Sequence, residues 1–111
     1  MERVSAENRV FKCVLGERVT LKFTPHNTDL RVTFRFRNDT TPRIVQGDSL
    51  TFVVNGGQME LFVFFHFING SGTGGSYEVE LNGDRGGNFP DDPPVQQAGH
   101  LVPLRSYFFF A

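Results

Sequence analysis

Leu50-Thr51-Phe52-Val53-Val54 runs through Asn55-Gly56-Gly57-Gln58 into Met59-Glu60-Leu61-Phe62-Val63-Phe64-Phe65-His66-Phe67. A Gly-rich stretch then leads to Tyr77-Glu78-Val79-Glu80-Leu81. Within each run apolar residues recur at every second position, the period at which extended side chains return to one face. Gly56-Gly57 suits a two-residue turn of the primed kind, because glycine takes positive φ without steric cost. Residues 50–82 therefore read as a three-strand antiparallel meander. Closing the turn at Gly56-Gly57 pairs Val54 with Met59, Phe52 with Leu61 and Leu50 with Val63. The next pairing sets Val63 beside Leu81, Phe65 beside Val79 and Phe67 beside Tyr77. A slip of one residue breaks this apolar match. The opposite face carries Thr51, Val53, Glu60, Phe62, Phe64, His66, Glu78 and Glu80.

The same period extends upstream. Arg18 to Thr24 puts Val19, Leu21 and Phe23 inward, and Leu30 to Arg37 puts Leu30, Val32, Phe34 and Phe36 inward. Pro25-His26-Asn27-Thr28 reads as the turn between them. Residues 9–15 alternate less regularly, with Phe11, Cys13 and Leu15 on one side. Asn38 to Ser49 reads as loop, with a short edge strand at Arg43–Val45. Downstream, four of the six prolines lie between 90 and 103. Proline removes a helical hydrogen bond, so residues 86–103 read as a long loop. Leu104 to Phe110 reads as a strand whose Tyr107-Phe108-Phe109-Phe110 is apolar on both faces, hence central or covered. No window carries a 3.6-residue stripe. The expected fold is all-β, with about seven or eight strands in two packed antiparallel sheets. That is an immunoglobulin-like or jelly-roll-like β-sandwich with little or no helix, one domain over residues 1–111.

A chain of 111 residues can bury a core without metal or disulfide staples. With 13 phenylalanines and no tryptophan, that core is built on phenylalanine. The net charge of −1 exerts no global pull on nucleic acid or anionic membrane. Cys13 is the sole cysteine, which excludes an intrachain disulfide, and its apolar neighbours predict a buried thiol. No apolar run approaches ~18 residues, so no membrane span is expected. Met1-Glu2-Arg3-Val4 carries no apolar signal region. The expected location is cytoplasmic, or that of a mature or excised extracellular domain.

Pairing the first two regular strands as a hairpin sets Lys22 opposite Arg31 and Arg18 opposite Arg35, with Arg37 beyond. Like charges directly opposite one another are unfavourable on a sheet. The compensation is either the acids Glu78, Glu80, Asp91 and Asp92 or an anionic ligand. Phe62 and Phe64 face outward from a central strand and need cover: the 86–103 loop, another subunit or a ligand. Such rings can also stack on sugars or bases, nucleic acid being disfavoured by the balanced charge.

His66 and Glu78 are cross-strand neighbours in the meander, the arrangement of a general base and its orienting carboxylate. No nucleophile can be placed beside them from sequence. His26, His66 and His100 lack zinc-ligand spacing. Asp84, Asp91 and Asp92, with Asn82 and Asn88, offer oxygens to calcium but without a calcium-loop spacing, and ordinary turn chemistry accounts for them too. Asn69 to Gly75 lacks the lysine and following helix of a phosphate loop. Asn38-Asp39-Thr40 and Asn69-Gly70-Ser71 match the glycosylation acceptor pattern. The leading expectation is a non-catalytic module that binds a protein partner or itself through Phe62, Phe64, His66, Arg31 and Arg35, with no cofactor. The alternatives are a carbohydrate- or calcium-binding lectin-like domain and a small hydrolase using His66 with Glu78.

Overall fold

The computed structural model describes residues 1–5, 8–26, 30–67, 76–91 and 104–111. Among these, ten strands and no helix are found. They are β1 (Glu2–Arg3), β2 (Val10–Lys12), β3 (Arg18–His26), β4 (Leu30–Phe36) and β5 (Arg43–Ile44), then β6 (Ser49–Val53), β7 (Gln58–Phe67), β8 (Ser76–Gly83), β9 (Asn88–Asp91) and β10 (Leu104–Phe110). They form a six-stranded sheet ordered β1-β2-β10-β7-β4-β5 and a four-stranded sheet ordered β6-β3-β8-β9. The two sheets pack face to face as a sandwich. Every pairing is antiparallel except β2 with β10, which run parallel.

Twelve of the expected inward positions are inward. Val19, Leu21, Phe23, Val32, Phe34, Leu50, Leu61, Val63, Phe65, Tyr77, Val79 and Leu81 are buried in one cluster. Burying such a side chain contributes about 1.5–3 kcal/mol, so the alternation itself drives the two faces together. Aromatic rings interlock across the layers. Phe65 of β7 stacks on Tyr77 of β8 with centroids 3.7 Å apart, and Phe52 of β6 meets Phe109 of β10 edge-on at 5.0 Å.

The meander does not exist. β6 and β8 both pair with β3, and β7 pairs with β4 and β10 in the other sheet. Leu50, Phe52, Leu61, Val63, Val79 and Leu81 do share one apolar surface, but they reach it from opposite sides. Gly56 and Gly57 take φ of 105° and 69°, as a tight turn demands, yet the turn carries the chain from one sheet to the other. The β3–β4 hairpin is overturned for the same reason. Lys22 stands between Ser49 and Glu80, Arg31 opposite His66 and Arg35 opposite Phe62, so the like-charge pairs never form.

Two smaller expectations also change. Residues 88–91, assigned to a loop, form edge strand β9, where Pro90 is tolerated because an edge offers a position needing no ladder N–H. Residues 92–103 of that loop and residues 69–75 fall outside the described residues. Leu15 lies in a turn and is 65% exposed, whereas Phe11 and Cys13 are buried as expected. The edge strand near Arg43 and the central position of β10, between β2 and β7, are as anticipated.

Polar groups close both the interior and one end. Asp91, buried on β9, accepts from Arg9 Nε, from Arg105 Nη1 at 2.7 Å and from Tyr107 Oη at 2.8 Å. The Met1 ammonium donates to Glu17 Oε2 at 2.7 Å and to the Gly86 carbonyl at 2.8 Å. Val14 N–H donates to the other Glu17 oxygen. Glu17 is wholly buried, and these donors replace the water it has lost.

Candidate functional site

Period two dictates the outer face of the six-stranded sheet as firmly as the core. With Leu61, Val63 and Phe65 inward, β7 turns Glu60, Phe62, Phe64 and His66 outward. β10 adds Leu104, Ser106, Phe108 and Phe110, and β4 adds Arg31, Thr33 and Arg35. Sheet register sorts these into rows. Phe64 lies between Leu104 and Thr33, and Thr33 faces Ile44 of β5. Phe62 lies between Ser106 and Arg35, and Glu60 lies beside Phe108. Leu104 and Ile44 are each 53% exposed, while Phe62, Phe64, Phe108 and Phe110 are half-buried against their neighbours.

The guanidinium of Arg35 sits 4.7 Å from the Phe62 ring centroid. This cation–π contact orients a flexible cation on a rigid strand. Arg37 pairs with Glu60 at 3.3 Å. Among the described residues neither Arg31 nor Arg35 has a carboxylate within ion-pair distance. Thus an aromatic stripe is bordered by Arg31 and Arg35, neither of which meets a counter-charge among the described residues. Phe36, Met59, Glu60 and Phe108 also line a groove of about 380 Å³ at one end of this face.

His66 and Glu78 do not meet. They belong to different sheets, and each has another partner: His66 Nε2 lies 3.1 Å from Thr33 Oγ1, and Glu78 lies 3.4 Å from His26. Thr33 with His66 has the outline of a hydroxyl and a base. Nucleophilic catalysis also needs a group that orients the base and donors for an oxyanion. Among the described residues no carboxylate reaches His66.

The calcium candidates are likewise dispersed. Asp84 Oδ1 accepts the Arg18 N–H in the β8–β9 turn, Asp91 is taken up by two arginines and a tyrosine, and Asp92 is outside the described residues. Among the described residues no group of three or more metal-ligating side chains is found. Of the glycosylation patterns, Asn38 is exposed in the turn after β4, and Asn69 is outside the described residues.

Sequence reasoning named Phe62, Phe64, His66, Arg31 and Arg35 separately; β4 beside β7 brings all five onto one face. It missed Leu104, Phe108 and Phe110. The two-sided apolar character of 107–110 was the available signal, since a central strand with one face on the core must turn the other outward. Burial pushes the Cys13 thiol up to about 11, aided by the Glu17 charge, so it is no nucleophile at neutral pH.

Among the described residues no helix is long and apolar enough to cross a membrane. Compared with protein-family models, with curated proteins and with solved structures, the chain matches none of them.

Proposed function

We propose that the chain is a non-catalytic interaction module that docks a protein partner on the outer face of its six-stranded sheet. The observation carrying this reading is the Phe62–Phe64 stripe with Arg35 held over Phe62 and no carboxylate opposite it among the described residues. Half-buried aromatics and arginine are what interface centres are enriched in, because they bury much area and lose little rotamer freedom. The strands hold them rigidly, so little entropy is lost on docking. His66, hydrogen-bonded to Thr33, and the cations at the border would set orientation rather than perform chemistry.

The test is binding with the fold preserved. Phe64→Glu places a charge in the middle of the stripe, and Arg35→Glu reverses its border. Partners captured by the wild-type chain should bind both variants at least about tenfold more weakly while circular dichroism is unchanged. Binding indifferent to both changes overturns the reading. If soluble glycans bind instead, and Phe64→Glu abolishes that, the same face serves a lectin-like role and the protein-partner reading falls.

A further inference from the structure

The backbone ladder singles out β6. Phe23 N–H donates to the Asp48 carbonyl and Val54 N–H to the Glu17 carbonyl. Alternation in an antiparallel pair then makes Val19–Phe52 and Leu21–Leu50 hydrogen-bonded pairs. The N–H and C=O groups of Ser49, Thr51 and Val53 therefore point away from β3. β6 is an edge strand, and among the described residues no strand lies beyond it.

An edge of this kind templates another strand unless it is blunted. The other three edges are blunted. β1 and β5 are two residues long and carry Glu2, Arg3 and Arg43, and β9 contains Pro90, which has no N–H to offer. β6 has none of these guards. Ser49-Leu50-Thr51-Phe52-Val53 is five residues long, uncharged, free of proline and rich in β-formers. Val53 on it is 44% exposed.

We infer that β6 pairs antiparallel with β6 of a second copy of this chain, joining two four-stranded sheets into one continuous sheet. The strand is complementary to itself. With the two-fold axis at Thr51, Thr51 faces its own copy and Ser49 faces Val53, the residues whose backbone groups point outward. About six backbone hydrogen bonds follow. On the inner face Leu50 of one copy lies beside Phe52 of the other. Phe52 is only partly buried, packed on Phe36 and Phe109, and the second copy covers its free flank. On the outer face Thr51 meets threonine, and no like charges oppose. An isologous contact of this kind closes as a dimer and does not propagate. It lies on the opposite sheet from the Phe62–Phe64 face and does not depend on it.

Sedimentation velocity on the whole chain, from micromolar to millimolar concentration, tests it. The mass should climb from 12.5 kDa toward twice that value. Thr51→Pro removes an outward N–H while sparing the β3 ladder, and Thr51→Lys sets two like charges on the axis. Each should weaken dimerisation at least about tenfold, with the circular dichroism of the monomer intact. Thr51→Lys covers the case in which the proline variant misfolds. Amide exchange of Thr51 and Val53 should slow as concentration rises. A mass of 12.5 kDa throughout overturns the proposal. So does a dimer that Thr51→Lys leaves unchanged; if Phe64→Glu breaks that dimer, association belongs to the other face.

Discussion

Arg105 Nη1 lies 2.7 Å from Asp91 Oδ2, and the two residues belong to different sheets. Arg9 Nε reaches the same carboxylate at 3.0 and 3.1 Å, and Tyr107 Oη at 2.8 Å. A carboxylate on β9 thus ties the edge of the four-stranded sheet to the middle of the six-stranded one. The Asp91 and Arg105 side chains are 6% and 11% exposed, so water replaces little of what a broken contact loses.

Asp91→Ala leaves Arg105 charged and without its carboxylate in the interior. Breaking one side of a buried pair costs about 3–5 kcal/mol. Asp91→Asn keeps the shape and one acceptor and should cost less. Tyr107→Phe removes one hydrogen bond to a charged group, about 1.5–3 kcal/mol. Urea denaturation of the three variants should rank them in that order, with Asp91→Ala the least stable. An Asp91→Ala variant as stable as the wild type would remove the clamp's structural role.

Glu17 makes the fold acid-sensitive. Burial pushes its carboxyl up, but the Met1 ammonium and the backbone N–H donors outweigh this and hold it below its ordinary value of 4.5. As pH falls, the unfolded chain takes up this proton first and the folded chain only later. The contribution is therefore complete above about pH 4.5 and is lost as pH drops through the lower, folded value. Stability measured in urea should fall steeply in that acid window. Glu17→Gln should be less stable at neutral pH and should flatten the acid slope.

Cys13 titrates the other way. Burial and the Glu17 charge raise its thiol from 9.0 to about 11. Above pH 9 the unfolded chain ionises while the folded chain does not, so stability declines as pH climbs past that point. At pH 8 the folded thiol should resist iodoacetamide and should react quickly once urea unfolds the chain. Rapid labelling of the native protein would show that the thiol is open to solvent.

Gly87 has φ of +94°, and a Cβ there would run into the Met1 carbonyl oxygen and the Phe89 ring. Gly87→Ala combines left-handed strain with a backbone clash and should cost about 1–3 kcal/mol. Gly47 has φ of +74° with open space around it, so Gly47→Ala carries the strain alone and should cost less. Thermal melts of the pair separate the two contributions.

Much of this fold is legible in the residues. Alternation places Val19, Leu21, Phe23, Val32, Phe34, Leu61 and Val79 inward, and all are buried. It equally places Phe62, Phe64, Arg31 and Arg35 outward, which is why the members of the candidate face could be named before their neighbours were known. β9 was hidden because Pro90 and the surrounding turn residues are the signature of a loop, and only an edge position makes them compatible with a strand.

What the sequence determined by itself is therefore which way each side chain points. Packing alone chooses which strand lies beside which: β6 against β3 and not β7, Arg35 against Phe62 and not Arg18, His66 beside Thr33 and not Glu78. The reason is physical. Side-chain period reports a face, and the inner faces of both sheets share one core, so every inward residue satisfies the pattern from either side. The ladder that chooses the neighbour is made of backbone groups, which are the same at almost every residue.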